Sequence, residues 1–183
     1  MFYCFLATGF EEIEAITTVD MLRRAGIDMK TVAVTSDNSL VVSGAHNIPV
    51  VADMHISDAD YADLQGVFLP GGMPGTTNLD ENEQVRNLIA FCAENDKYIF
   101  AICAAPSVLG HMGLLKGKKA TCYPGFEGEL TGAEYTSEPA VQEGRIITGK
   151  GPGATIIFAS LIITELCGEK VSSDLKSAMQ CNE

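Results

Sequence analysis

The sequence predicts an α/β fold, with a mostly parallel central sheet and helices on both faces. Three observations carry this. Phe2–Ala7, Gly66–Pro70 and Tyr98–Ile102 are apolar at consecutive positions, as strands covered on two sides are. Helical periodicity stands between such runs, most cleanly at Val85, Leu88, Ile89 and Cys92. Each run ends in small residues or glycine, and strands that alternate with helices in this way build parallel sheets.

Taken in order, Phe2–Ala7 is the first strand and Thr8-Gly9-Phe10 turns the chain. Residues 11–25 then read as a helix, with Ile13, Ile16 and Leu22 on its apolar face and Gly26 as its stop. Glu11, Glu12 and Glu14 share its first turn. The helix dipole favours acids there, but three exceed what a dipole needs. Residues 30–35 form a second strand, and residues 40–51 an irregular hairpin around Ser43-Gly44. The Gly66–Pro70 strand opens into Gly71-Gly72-Met73-Pro74-Gly75, which permits close backbone approach. Asp80 and Glu83 have capping-box spacing for the helix that follows. After the Tyr98 strand a helix runs to about Gly113.

Residues 120–123 form a short strand broken by Pro124-Gly125. Residues 134–136 and 140–142 pair with neighbours around Pro139, and residues 145–148 form a further strand. Residues 154–167 are apolar almost all round, so this helix should be deeply buried, and Gly168 ends it. Ser172 or Ser173 caps a last short helix carrying Leu175, Ala178 and Met179. No repeat, linker or low-complexity segment divides residues 1–183, a length that suits one domain with a sizeable core.

The formal net charge of −12 repels phosphate backbones and excludes nucleic acid as a natural partner. The N-terminal apolar run has no basic flank and only a strand's length, so it is no signal peptide. No run approaches the ~18 apolar residues of a membrane span. Six cysteines contain no C-x-x-C pair. Cys4, Cys92, Cys103 and Cys167 sit inside apolar runs, as packed reduced thiols do, which places the chain in a reducing cytoplasm.

Cys103 stands where the strand Tyr98–Ile102 gives way to a helix. That position is the carboxyl rim of the sheet, where α/β proteins bind ligands. A helix N-terminus there favours a thiolate. Two readings stand, an activated nucleophile and a buried structural cysteine. Parallel topology brings Glu14 and Gly71-Gly72 to the same rim. A carboxyl near a thiolate keeps its proton and becomes a proton donor. The amides of Gly72 and Ala104 are placed to hold an oxyanion. On spacing alone Glu14 reads first as a solvated first-turn acid, and Gly71-Gly72 equally as a plain turn before a capped helix. The glycine spacing fits no phosphate-binding loop.

Residues 6–14 (LATGFEEIE), 19–26 (VDMLRRAG), 69–72 (LPGG), 101–106 (AICAAP) and 151–153 (GPG) together resemble the ThiJ/PfpI superfamily. Within it they most resemble the branch of the parkinsonism-associated protein deglycase. The resemblance runs from residue 3 to about 168. It implies a flavodoxin-like three-layer sandwich, a nucleophile Cys103 on a strained elbow and a protonated Glu14 against the sulfur. It implies cofactor-free conversion of methylglyoxal or glyoxal to a hydroxy acid, or deglycation of early adducts, with no metal. It further implies cysteine-based redox sensing, chaperone-like protection and a homodimer.

One departure stands out. The family's histidine follows Thr or Ser and precedes Pro, and here Thr121-Cys122-Tyr123-Pro124 puts Tyr123 in its place. Tyrosine, with a pKa near ~10, is a poor base at neutral pH. His46 lies in the hairpin, within reach of the pocket from its own or a partner subunit; otherwise it and His55 are surface residues. His111 is a helix-end residue. The protease-like branch has a histidine directly after its nucleophile, and here that residue is Ala104. A glutamine amidotransferase triad also lacks its histidine. Two functions follow: a dicarbonyl-processing enzyme using Cys103 and Glu14, and a redox-responsive protective protein using Cys103 oxidation.

Overall fold

The computed structural model describes residues 1–181. The chain runs β1 (Phe2–Ala7), α1 (Glu12–Arg24), β2 (Met29–Val34), β3 (Val41–Ser43), β4 (Pro49–Val51), β5 (Met54–His55) and β6 (Gly66–Leu69). It continues α2 (Gly75–Glu81), α3 (Glu83–Glu94), β7 (Tyr98–Ile102), α4 (Pro106–His111), β8 (Lys119–Ala120) and β9 (Glu134–Tyr135). It ends β10 (Ala140–Glu143), β11 (Ile146–Gly149), α5 (Thr155–Cys167) and α6 (Glu169–Ala178). Seven strands form one sheet in the order β10-β11-β7-β6-β1-β2-β5. All neighbours are parallel except β10 and β11. β1, β6 and β7 lie at its centre, so their carboxyl ends share one rim.

The two-residue period of the strands separates two cores. Tyr3, Phe5, Val67, Leu69, Ile99 and Ala101 face α2, α3 and α4. Phe2, Cys4, Leu6, Phe68, Phe100 and Ile102 face α1 and α5. The result is the three-layer sandwich the sequence predicts. Val85, Leu88, Ile89 and Cys92 are all buried, each large apolar side chain among them contributing roughly 1.5–3 kcal/mol of transfer free energy.

Several elements differ from the sequence reading. α1 turns Glu14, Ala15, Thr18, Val19 and Leu22 inward and leaves Ile13 and Ile16 exposed. The isoleucine pair imitates an apolar stripe, but the stripe that faces the sheet runs through positions 15, 18, 19 and 22. α5 is not buried all round: Phe158, Ala159, Ile162 and Ile163 face inward, while Ile156 and Ile157 are exposed. It is an outer-layer helix, so one side meets solvent. Residues 75–81 form α2, which glycine and threonine conceal in the sequence. Asp80 lies inside α2, and Asn82 caps α3 instead, its Oδ1 accepting the Val85 N–H at 3.0 Å. Ser172 does not cap α6; its hydroxyl donates to the Ser160 carbonyl at 3.0 Å and ties α6 to α5.

The strand expected at 120–123 stops at Ala120, because the next amides are used elsewhere. Thr121 N–H donates to Thr148 Oγ1 at 3.0 Å, and Tyr123 N–H to the Cys103 carbonyl at 2.8 Å. β9 pairs with β8 in a separate parallel ribbon. Among the described residues no helix is long and apolar enough to cross a membrane. All six cysteines are free; Cys4, Cys92, Cys103 and Cys122 are buried.

Candidate active site

The site is built from three turns at the carboxyl rim. The first follows β1. Glu11 caps α1, its Oε2 accepting the Glu14 N–H at 2.8 Å. Its own N–H donates to the Gly71 carbonyl at 2.9 Å. This seats Glu14 wholly inside the protein. Glu14 Oε2 accepts the Gly71 N–H at 2.8 Å, while Oε1 is buried with no partner.

The second turn is Gly71-Gly72. A Cβ at Gly71 would lie 2.6 Å from Cys103 Cβ, 2.8 Å from Glu14 Oε2 and 3.0 Å from Cys103 Sγ. Only a glycine lets the carboxyl and the sulfur share this space. Gly72 has φ +89°, and a side chain there would meet Glu11 N at 2.4 Å.

The third turn is the elbow at Cys103. Its φ is +67°, a left-handed conformation that costs a non-glycine residue roughly 1–2 kcal/mol. Hydrogen bonds hold it on both sides, from Cys103 N–H to the Gly149 carbonyl at 2.9 Å and from Tyr123 N–H to the Cys103 carbonyl. Strain maintained by surrounding bonds is a property of functional positions.

Burial pushes the Glu14 carboxyl up to about 7; the Cys103 thiol and the Gly71 N–H pull against this, and the charge of Glu11 adds to the rise. Burial also pushes the Cys103 thiol above its usual range, and the facing Glu14 carboxyl adds to that rise. The N–H groups of Ala104 and Gly72 pull the thiol down. The expected depression of the thiol pKa by a helix terminus is therefore corrected. α4 spans only six residues, and burial outweighs it. The two acids face each other and titrate as one pair, and the two amides favour charge on sulfur.

Tyr123 is half exposed and joined to the elbow through its backbone. With Pro124, Lys150, Gly151, Pro152 and Ile157 it lines a pocket of about 420 Å³. His46 is at the hairpin tip, between β3 and β4. Its Nδ1 lies 2.8 Å from Glu12 Oε2, and its N–H donates to Glu12 Oε1 at 2.7 Å. Glu12 thus pins the hairpin to α1, which explains the second of the three acids. Ligand atoms of Glu11, Glu12 and His46 lie within 4.8 Å of one another, a donor set that can chelate a cation. The His46–Glu12 ion pair already accounts for that grouping. His55 is buried, contrary to its surface reading, because its Nε2 reaches the Thr35 carbonyl at 3.0 Å. His111 ends α4 and contacts Asp80 and Glu129 at 2.6 and 2.9 Å.

Sequence reasoning missed Glu11. The E-x-x-E spacing of Glu11 and Glu14 was the signal, but glutamate is not a usual N-cap residue.

A cysteine at a left-handed strand-to-helix elbow, faced by a buried carboxyl whose pKa burial raises, stands at the carboxyl rim of a flavodoxin-like sandwich. Comparison with known proteins narrows this description. The family model described as DJ-1/PfpI family matches residues 2–165, and the chain belongs to that family. Protein DJ-1 homologs B and A of Arabidopsis thaliana are 34% and 36% identical over 95% of this chain. The chain spans only 40% and 45% of their lengths. The glutathione-independent glyoxalase DJR-1.2 of Caenorhabditis elegans is 33% identical over 91% of this chain and 88% of its own. Among solved structures, the C103A mutant of the DJ-1 superfamily protein STM1931 from Salmonella typhimurium is 35% identical. It superposes with a TM-score of 0.93 over 100% of this chain and 98% of that one. Oxidized Toxoplasma gondii DJ-1 is 29% identical, with a TM-score of 0.93 over 98% and 97%.

Proposed function

We propose that the protein is a cysteine-dependent, cofactor-free stress enzyme of glyoxalase or deglycase type. Its substrates are methylglyoxal-class dicarbonyls or their early adducts. Cys103 is the nucleophile and Glu14 the acid/base. The observation that carries this reading is the enclosed contact of Glu14, Gly71 and Cys103. It puts a proton-holding carboxyl against a sulfur whose backbone is strained into place. The relation to a glutathione-independent glyoxalase agrees with it.

The reaction follows from the geometry. The Cys103 thiolate adds to the aldehyde carbon of methylglyoxal and forms the C–S bond of a hemithioacetal. The developing oxyanion takes the Glu14 proton, while the Gly72 and Ala104 amides stabilise the charge. Glu14, now a carboxylate, removes the hydrogen of that carbon and returns it to the neighbouring carbon, giving an enediol and then a lactyl thioester. Water cleaves the thioester, releasing lactate and the thiol. The net change adds one water to methylglyoxal and needs no external oxidant. Tyr123, tied to the elbow by its backbone N–H, moves no proton. Lactate formation by the purified protein tests this. Cys103→Ala and Glu14→Ala should abolish it. Absence of lactate from the wild type, or an unchanged Cys103→Ala, rejects the reading.

A second reading, a redox-responsive protective protein, is favoured by the likeness to an oxidized DJ-1 structure. Peroxide would take Cys103 to a sulfinate held by protonated Glu14 and the same amides. An early species about 32 Da heavier, confined to Cys103, is the expected result of mild peroxide; oxidation spread evenly over the cysteines contradicts it. The free thiols suit a reducing cytoplasm under either reading.

A further inference from the structure

The reaction above assigns Glu11 no role, yet Glu11 holds the site together. Its N–H bonds the Gly71 carbonyl at 2.9 Å, and its Oε2 accepts the Glu14 N–H at 2.8 Å. Gly71 N–H in turn donates to Glu14 Oε2 at 2.8 Å. These three hydrogen bonds close a ring through Glu11, Gly71 and Glu14. The ring extends to Gly72, packed so closely on Glu11 N that no side chain fits between them. One residue therefore fixes both the carboxyl and the loop whose amide faces the sulfur.

Serine or asparagine would cap α1 as well, without a charge. Glu11 brings a buried carboxylate, and among the described residues no lysine or arginine pairs with it. The titratable groups around this turn are Glu12 and Glu14 on α1, His46 on the hairpin and Cys103 on the elbow. His46 is bonded to Glu12 rather than to Glu11. The Glu11 carboxylate is bonded to Glu14 itself, its Oε2 2.8 Å from the Glu14 nitrogen, and its charge adds to the rise of the Glu14 carboxyl. A negative charge that penalises the carboxylate more than the thiolate moves the shared proton onto the carboxyl.

We propose that Glu11 is a positioning residue whose buried carboxylate keeps the proton shared by Glu14 and Cys103 on the carboxyl, leaving the negative charge on sulfur. This rests on the proposed function only in taking Cys103 as the reactive thiol. The test is the rate of Cys103 alkylation by iodoacetamide from pH 5 to 10, with the modified peptide identified by mass. Glu11→Gln keeps the capping acceptor and removes the charge. It should lower the rate at neutral pH about 3- to 10-fold and move the onset of reaction to lower pH. Glu11→Asp, which keeps both charge and cap, should restore the wild-type profile. Melting temperatures separate this effect from loss of fold, since a purely structural cap would leave the Glu11→Gln profile unchanged. An alkylation profile for Glu11→Gln that matches the wild type from pH 5 to 10 overturns the proposal. The assay contains no dicarbonyl, so its outcome is independent of whether the wild type makes lactate.

Discussion

Replacing Glu14 by Gln should stabilise the protein at alkaline pH and cripple its cysteine. Burial carries the Glu14 pKa from 4.5 to about 7. The folded state therefore keeps a proton that the unfolded chain releases. The stability this contributes is complete below pH 4.5 and is lost as pH rises to about 7. A shift of this size corresponds to about 3 kcal/mol at ~1.36 kcal/mol per pH unit. Glutamine cannot ionise and escapes that loss. Glu14→Gln should thus match the wild type near pH 4.5 and exceed it at pH 8 by up to about 3 kcal/mol, or roughly 6–12 °C in Tm for a chain of this size. Thermal or urea denaturation at the two pH values measures the difference. Reactivity should move the other way. With glutamine in place no carboxyl faces the sulfur to take the thiol proton, and the thiol, which burial already pushes up, must lose it to solvent, so Cys103 alkylation at pH 7 should be slower than in the wild type. A variant no more stabilised at pH 8 than at pH 4.5, or one alkylated at the wild-type rate, refutes the shared-proton argument.

Gly71→Ala drives a methyl group into both Cys103 and Glu14. It should cost about 1–3 kcal/mol in urea denaturation and remove lactate formation even where the fold survives. Tyr123→Phe should leave methylglyoxal turnover within about threefold of the wild type, because the mechanism gives the phenol no proton to move; a loss of about 100-fold in kcat would place it among the acid/base groups. The homodimer implied by the resemblance would use the exposed Ile13 and Ile16 of α1 beside Ile48 and Val51 of the hairpin that Glu12 pins to it. Light scattering should give twice the chain mass for the wild type and the single-chain mass for Ile16→Lys, and an unchanged mass for that variant places the interface elsewhere.

The fold was legible where the sequence has one period. Strands buried on both faces show as unbroken apolar runs, so β1, β6 and β7 were placed within a residue of their observed ends. α3 was legible because its stripe has no competitor. α1 was misread because two isoleucines on the outer side outweigh an inner stripe built partly from Glu14 and Thr18. Burial of a polar side chain is invisible to a hydrophobicity pattern. α2 was missed for a related reason: Gly75, Thr76 and Thr77 are poor helix formers, and packing against β1 overrides their preference.

The candidate site was legible in a different way, through topology. Parallel strands deliver Glu14, Gly71-Gly72 and Cys103 to one rim whatever their side chains do, and their meeting there needed no long-range information. What the sequence could not express is which group holds the proton. A helix N-terminus after Cys103 suggested a thiolate formed by the dipole, but depth of burial dominates and raises both acids together. That changes the meaning of Tyr123. In a Cys–His pair the histidine takes the thiol proton, so a tyrosine in its place reads as a lost base. Here the Glu14 carboxyl, which burial pushes up to about 7, shares the space at Gly71 with the sulfur, and on the proposed mechanism it can take that proton itself. On the proposed mechanism the pair needs a residue to keep the proton on the carboxyl more than it needs a second base, and Glu11, one turn back on the same helix, is the charge positioned to do so.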